Sequence, residues 1–478
     1  MPLFTVEEVL KITGARLLSG TRVRNIRRLC TDSRSVRSGD LFIALTGERF
    51  DGHQFVGDAL RMGAVGALVS SAFKPPGARS RARGAGRSAA PVMLAVPDTL
   101  AAYQDLAAHH RRRFRIPVVA VTGSNGKTST KEMAARVLAE RWRILKTEGN
   151  LNNRIGVPQT VLQLTARHQA AVIEMGVDQK GQTTRLGQIA RPTVGVITNV
   201  GPDHLEFFGS LQASADAKGE LLDLLPRNGA AVLNADDGYF ERLASRARCR
   251  IVSFGLGRRA QVRATDTVAD ARRGTAFRLT LPGVSSRPRV VLPAYGTHNV
   301  SNALAAAAVG HILNVSPAAI VRGLGRFRPV AMRSQVSTYR GVRIINDCYN
   351  ANPASMKAAI DLLRQLGVGR RTIAVLGDML ELGPAAPALH REIGAYLTAH
   401  GVSHLVACGT LARGIAEGAR AAGMPADCVQ EMPDAAAAAV ALQAIVRSGD
   451  VVLVKASRGV RLEQALAPMT GKSRVPKH

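Results

Sequence analysis

The stretch AVTGSNGKTSTKEM, residues 120–133, constrains this chain more than any other. Val118 to Val121 form an unbroken apolar run, a glycine turn follows, and then Met133, Val137 and Leu138 recur at helical spacing. A strand that feeds a helix through so short a turn belongs to a parallel sheet with helices packed on it. The GKT at the turn points to a phosphate-binding loop, in which the backbone N–H groups around Gly123–Lys127 face an anion at the helix N-terminus. Lys127 then neutralises the β- and γ-phosphates, and the Thr128 hydroxyl is a ligand for Mg2+. The plain alternative is a βα turn that happens to contain GKT. The spacing also departs from the general loop, which has four residues between its glycines. Here Gly123 and Gly126 are separated by two, and Val121 stands where the first glycine belongs.

At 478 residues the chain needs more than one core. Residues 1–98 hold short strand-like runs (LFIAL, GALVS, VMLAV) and end after a Gly/Arg-rich stretch. Residues 99–328 alternate strand and helix strongly, and 329–478 alternate again, with GVRIIND, RTIAVLGD, SHLVACG and DVVLVKAS as strands. Such alternation predicts parallel sheets covered on both faces. Ligands of these sheets bind beyond the carboxyl ends of the strands.

The net charge of +29 raises the question of a nucleic-acid partner. Part of the excess lies in KPPGARSRARGAGR (74–87), which has the composition of a disordered loop. Another part lies in HHRRRFR (109–115), where cations suit the C-terminal end of a helix dipole. Neither interleaves aromatic residues for base stacking, so polyanionic small substrates are the better expectation. The five cysteines form no C-x-x-C pair, which indicates neither a disulfide framework nor a zinc site and suits a reducing cytoplasm. MPLFTVEEVLKITG lacks the apolar core of a signal peptide, and no run of about 18 apolar residues is present to span a membrane.

Several strand ends carry chemistry. AAVIEMG ends in Glu174, TVGVITNVGPDHLEFFG runs into Asn199, Asp203 and His204, and GAAVLNADD ends in Asn234, Asp236 and Asp237. In a parallel arrangement Glu174 and His204 reach the same edge as the phosphate loop, where a carboxylate and an imidazole are ligands for divalent cations; either alone reads equally as a surface loop residue or a satisfied histidine. Asn150, Asn152 and Asn153 sit in the turn-rich TEGNLNNRIGVP and are either turn formers or amide donors to an anion. Thr31, Asp32, Ser33 and Arg34 are either an Asx-type turn or a cluster for a uracil and a pyrophosphate. Lys455, Ser457 and Arg458 suit a carboxylate and equally an ordinary basic helix start. Lys218 on its own reads as a helix-surface lysine.

VTGSNGKTST, TEGNLNNRIGVP, NVGPDHLEFFG, AKGELL, GTHNVSNALAA and YNANPASM resemble the Mur ligase family, in this order and at this spacing. The resemblance runs from about residue 31 to 461 and accounts for the shortened loop. It implies that ATP phosphorylates a substrate carboxylate and that an amine then attacks the acyl phosphate. It assigns Gly123, Ser124, Asn125, Gly126, Lys127, Thr128 and Ser129 to ATP, Asn299 and Asn302 to the neighbourhood of adenine, and Asp347 to the ribose. Thr128 and Glu174 bind one Mg2+, and Glu174 and His204 a second. Lys218 matches a lysine that is carbamylated in many relatives and would join the metal site as an anion. Arg333 reaches the γ-phosphate; Met332 stands where a glycine usually precedes that arginine, and Thr297 where the family often has arginine. Thr31 to Arg34 meet the uridine nucleotide, while Asn150, Asn152, Asn153, Tyr349, Asn350, Lys455, Ser457 and Arg458 contact the substrates.

The fold so implied is α/β in three domains. These are a small α/β N-terminal domain for the UDP substrate (1–98), a central P-loop-type, mostly parallel domain for ATP (99–328) and a C-terminal Rossmann-like domain (329–478). YNANPASM and VLGDMLELG resemble the member that adds D-alanyl-D-alanine to UDP-N-acetylmuramoyl-tripeptide, and the DNPR of the diaminopimelate-adding relative is absent. ATP and Mg2+ are the expected cofactors and those two substrates the partners of a monomer, with neither nucleic acid nor membrane insertion. The alternatives are a sister ligase adding the third amino acid and a basic nucleic-acid-binding P-loop protein. Folylpolyglutamate synthase has a similar loop, but TDSR speaks against it.

Overall fold

The structure, a computed structural model, describes residues 2–47, 50–74, 90–270 and 273–470. Beyond Lys74, the basic 74–87 stretch lies outside the described residues, as do Glu48 and Arg49 of GERFDGH. The chain divides into two compact units. One comprises residues 1–116, 147–167 and 188–191, the other 117–146, 168–187 and 192–478.

The first unit is built on a five-stranded sheet, in the order Arg16–Ser19, Val92–Val96, Gly66–Ser70, Asp40–Ile43 and Arg28–Cys30. All neighbours are parallel except the Arg16–Ser19 edge. Asp40–Ile43 and Val92–Val96 are buried along their whole length, the pattern of strands covered on both faces. The helix Thr99–Arg112 supplies Tyr103 and Leu106 to this core. Its basic end is more than a solvated terminus. Arg111 is buried and donates to the carbonyls of Ala190 (2.7 Å), Phe114 (2.5 Å) and Ile116 (3.1 Å), closing chain ends that lack helical donors.

The second unit holds two sheets. The larger has nine strands. Third from one edge is β1 (Val118–Thr122), which feeds α1 (Lys127–Ala139), flanked by β2 (Ala170–Glu174) and β3 (Val194–Ile197). Both neighbours run parallel to β1, pairing Glu174 with Val121 and Ile197 with Thr122. The three chains therefore leave the sheet at one edge. Strands Gly274–Thr280 and Arg289–Leu292 extend the far side as antiparallel neighbours. Helices α2 (Leu211–Asp223) and α3 (Thr297–Ile312) follow. The alanines 303 and 305–308 of α3 are fully buried, and side chains this small let it pack closely in the core that α1 also joins.

The second sheet has six strands, all parallel except the edge strand Gln335–Tyr339, which pairs antiparallel with β4 (Val342–Asn346). β4 lies beside β5 (Val451–Lys455), so Asp347 and Lys455 emerge at adjacent strand ends. Among the described residues no helix is long and apolar enough to cross a membrane.

Candidate active site

The shortened loop is explained by its neighbours. Gly123 (φ 136°) and Gly126 (φ 80°) have backbone angles that favour glycine. A Cβ at Gly123 would collide with Thr198 Oγ1, and one at Gly126 with Asn302 Oδ1. Asn199 grips the tip of the loop: its carbonyl accepts from Ser124 N (2.9 Å), its Oδ1 accepts from Asn125 N (2.9 Å), and its Nδ2 donates to the Asn125 carbonyl (3.1 Å). This narrows the expectation that the N–H groups around Gly123–Lys127 face an anion. Those of Ser124 and Asn125 are engaged by Asn199, whereas those of the first helical turn, Lys127 to Ser129, have no intrahelical acceptor. Lys127 Nζ donates to the carbonyls of Gly123 (2.6 Å) and Ser124 (3.1 Å), lying over the loop it serves.

Two buried ionic groups flank the loop. On one side Thr128 Oγ1 donates to Glu174 Oε1 (3.0 Å), while Lys131 Nζ lies 3.6 Å from Glu174 Oε2. On the other, Asp203 Oδ1 accepts from Ser124 Oγ (2.5 Å) and from Lys218 Nζ (3.1 Å), and Lys218 also donates to Ser214 Oγ (2.5 Å). Lys218 is fully buried, so its reading as a helix-surface lysine is wrong. Burial lowers the pKa of the Lys218 ammonium, opposed by Asp203. Burial alone would push Asp203 up, but Lys218, Lys127 and the Ser124 hydroxyl hold its carboxyl below the ordinary value. The Lys127 ammonium is lowered by burial, opposed by the charges of Asp203 and Glu174 and reinforced by those of Lys218 and Arg333. Residues from four separate stretches of sequence thus share one electrostatic neighbourhood. Among the described residues there is no group of three or more His, Cys, Asp or Glu able to hold a metal by itself. The oxygen donors Thr128 and Glu174 fit Mg2+, which takes one or two protein ligands and completes its shell with phosphates and water.

His204 follows β3 in a left-handed conformation (φ 52°), and its Nδ1 meets Glu381 Oε2 at 2.5 Å. The bond from His204 holds the Glu381 carboxyl below the ordinary carboxylate range. Glu381 belongs to VLGDMLELG and is a partner the sequence reading missed. A second missed contact joins the loop to the C-terminal segment, where Asn125 and Asn352 exchange amide hydrogen bonds (2.9 and 3.3 Å). Asn352 also caps the helix Pro353–Leu366.

The proposed adenine residues are both buried on α3. Asn302 Oδ1 accepts from Thr130 Oγ1 (3.2 Å), and Asn299 Nδ2 donates to the Tyr295 carbonyl (2.9 Å). The neighbouring His298 Nε2 lies 3.1 Å from Ser334 Oγ. Ser334 N in turn donates to Asp347 Oδ1 (2.7 Å), whose Oδ2 accepts from Lys455 Nζ (2.6 Å). Lys455 also donates to the Asn350 carbonyl (2.8 Å), and Ser457 Oγ accepts from Leu380 N (2.9 Å). Lys455 and Ser457 are buried and hold loops together; of that trio only Arg458, paired with Glu463 at 2.6 Å, keeps a partly exposed guanidinium. The Arg333 guanidinium stacks on the Tyr349 ring at 3.9 Å. Met332 has φ 58°, a left-handed angle that explains why glycine is usual there in the family it resembles.

The sequence candidates of the first unit are occupied locally. Asp32 Oδ1 accepts from Arg34 N (3.0 Å), its carboxylate pairs with the Arg34 side chain, and Ser33 opens a short 3-10 turn beside Thr31. Asn153 Oδ1 accepts from the N–H groups of Ile155 (3.0 Å) and Gly156 (2.9 Å), and Asn152 N donates to the Asn150 carbonyl (2.7 Å). Lys131 was the most readable omission, while Asp203 was named at a strand end but given no partner. Lys131 falls on the apolar stripe with Ala134, Ala135 and Leu138, where a lysine is out of place unless paired.

Residues 25–111 match the Mur ligase family catalytic domain, 121–310 the Mur ligase middle domain and 332–458 the Mur ligase glutamate ligase domain. UDP-N-acetylmuramoyl-tripeptide–D-alanyl-D-alanine ligase of Bacillus subtilis is 36% identical over 441 residues, 92% of each chain. The chain belongs to the Mur ligase family. Among solved structures, this Mur ligase superposes on MurF from Acinetobacter baumannii with a TM-score of 0.87 and 32% identity, covering 98% of this chain and 99% of that one. MurF ligase from Thermotoga maritima, solved in complex with ADP, has a TM-score of 0.78 and 29% identity, covering 92% and 96%.

Proposed function

We infer that this Mur ligase joins D-alanyl-D-alanine to UDP-N-acetylmuramoyl-tripeptide, using ATP and forming an acyl phosphate on the way to the UDP-linked pentapeptide. The observation that carries the reading is the common edge of β1, β2 and β3, which brings Lys127, Thr128 and Glu174 together. The names of the relatives, and the ADP in one of them, support the choice of reaction.

The tripeptide carboxylate attacks the γ-phosphorus; that P–O bond forms as the bond to the β–γ bridging oxygen breaks, and ADP leaves. The neutral amine of D-alanyl-D-alanine attacks the acyl carbon, the C–N bond forms, the C–O bond to phosphate breaks, and the amine loses its proton. Lys127 and the first-turn N–H groups of α1 bind the phosphates and neutralise charge that builds up in transfer. Arg333, oriented by Tyr349, is assigned to the γ-phosphate, Asn299 and Asn302 to the surroundings of adenine, and Asp347 to the ribose. Mg2+, held by Thr128 and Glu174 with His204 and Lys218 as further members of the set, would supply charge neutralisation when bound. Glu381 engages His204 through Nδ1, the way a carboxylate orients a ligating imidazole, and so leaves Nε2 for a metal. Carbamylation of Lys218 needs its neutral amine, and burial shifts Lys218 toward that form. Its test is the bicarbonate dependence of turnover.

Thr31 to Arg34, with Asn150, Asn152 and Asn153, are proposed to meet the UDP-linked substrate. Tyr349, Asn350 and Arg458, with Lys455 and Ser457 holding their loops, are proposed to meet the dipeptide. Boundaries at residues 98 and 328 are proposed to separate the UDP-substrate, ATP and dipeptide domains. A cytoplasmic location is proposed from the ATP requirement and the five free thiols, and the working unit is proposed to be a monomer. ADP release measured with UDP-tripeptide and D-alanyl-D-alanine, each omitted in turn, tests the function. Release that requires both supports it. Release with UDP-dipeptide and a single amino acid instead would transfer the assignment to the sister ligase.

A further inference from the structure

Three lysines, Lys131, Lys218 and Lys455, are among the largest fully buried side chains. Lys131 is the one that no step above uses. Its ammonium lies 3.1 Å from Glu132 Oε1 and 3.6 Å from Glu174 Oε2. Glu132 is tied through its other oxygen to Lys146 Nζ at 2.6 Å. Lys131 and Glu174 are each about 1% exposed at the side chain. Taking both charges out of water is heavily penalised; at 3.6 Å Lys131 meets Glu174 Oε2 as an ion pair and not through a hydrogen bond.

That geometry divides the Glu174 carboxylate in two. Thr128, at the start of α1, donates to Oε1. Lys131, one turn further along the same helix, faces Oε2. Both contacts, one a hydrogen bond and the other an ion pair, therefore come from the helix that carries Lys127, which puts the carboxylate in register with the phosphate site. We propose that Lys131 is a positioning residue, which holds Oε2 and so leaves Oε1, beside the Thr128 hydroxyl, as the single oxygen that Glu174 offers to a divalent cation. One-oxygen ligation suits Mg2+, whose octahedral shell tolerates little distortion. The proposal rests on the metal role given to Glu174.

The test is Mn2+ binding to the full chain with ADP, read from the electron paramagnetic resonance of free Mn2+, without turnover. K131M is expected to weaken Mn2+ binding ~10- to 100-fold, the usual effect of removing a partner that orients a metal ligand. In turnover, the half-saturating Mg2+ concentration rises while kcat at saturating Mg2+ changes less. Simple electrostatics predicts the opposite sign, because deleting a nearby cation favours a divalent ion. Unchanged or tighter Mn2+ binding by K131M therefore overturns the proposal. E132Q, which leaves Lys131 facing Glu174, should bind Mn2+ within about threefold of the unsubstituted chain. Should K131M fail to fold, K131M/E132Q removes the stranded second carboxylate. A Mn2+–ADP crystal structure of the unsubstituted protein gives an independent reading: metal on Oε1 with Lys131 retained at Oε2 supports the proposal, and metal chelated by both oxygens refutes it. An unsubstituted chain that binds no Mn2+ with ADP sinks the metal role of Glu174 itself, whereas equal binding by K131M removes only the part given to Lys131.

Discussion

The phosphate-loop region and the polar loops of the first unit are equally conspicuous as sequence, yet they are built in opposite ways. At residues 32–34 and 153–156 the side-chain oxygens of Asp32 and Asn153 find their partners within three positions along the chain. Around the phosphate loop the partners are 46 positions apart for Thr128 and Glu174, 79 for Ser124 and Asp203, and 227 for Asn125 and Asn352. Local pairing makes a stable turn whatever lies beyond it. Long-range pairing assembles charges that no single segment could hold, and it puts them in low dielectric, where they act more strongly on each other and on a bound phosphate.

The contrast can be broken most sharply at Lys127. K127A is expected to lower substrate-dependent ADP release by ~10³-fold, with thermal unfolding unchanged. A mutant with normal turnover would remove the loop from the chemistry. Next comes D203N, which leaves the Lys218 ammonium buried beside a neutral amide. A loss of ~3 kcal/mol is expected, measured by urea unfolding. A change within experimental error would mean that the cluster is no more cooperative than a surface pair.

A buried pair away from the loop sharpens the point. Asp450 accepts from Arg371 at 2.6 and 3.0 Å. Burial pushes its carboxyl up, but Arg371 and the Arg447 backbone outweigh this and hold it below 3.8. The stability it contributes is thus complete above pH 3.8 and is lost as pH falls through the lower folded value. D450N should cost ~2 kcal/mol at pH 7 and change ADP release little. Its difference from the unsubstituted chain should narrow only below about pH 4, as followed by denaturant unfolding across pH. A gap that closes already near neutrality would argue against the pairing. The smallest effect is expected at Asn153, where N153A loses one local acceptor, ~1 kcal/mol, and leaves ADP affinity unaltered by calorimetry. A large fall in ADP affinity would erase the distinction between the two regions.

Much of this was legible beforehand. The apolar run before GKT, and the recurrence of Met133, Val137 and Leu138 after it, are enough to require a strand and a helix meeting at the loop. Glu174 could be placed at the same edge because parallel strands end together. Lys218 was misjudged because one lysine on a helix carries no sign of its burial; Asp203 and Ser124, which make that burial tolerable, arrive from other strands. Glu381 was passed over for the same reason, since nothing near it in sequence announces His204. The Ser124 and Asn125 N–H groups were assigned to an anion because Asn199, their acceptor, is 74 positions from Asn125.

By itself the sequence determined the α/β alternation, the nucleotide loop and the family, because each depends on residues close enough in the chain to be read as periods and motifs. Which lysines are buried, which amide grips the loop and which oxygen of Glu174 meets Lys131 were decided only in the tertiary structure. Those choices depend on desolvation and on through-space distances, and neither is a property of any short stretch of chain.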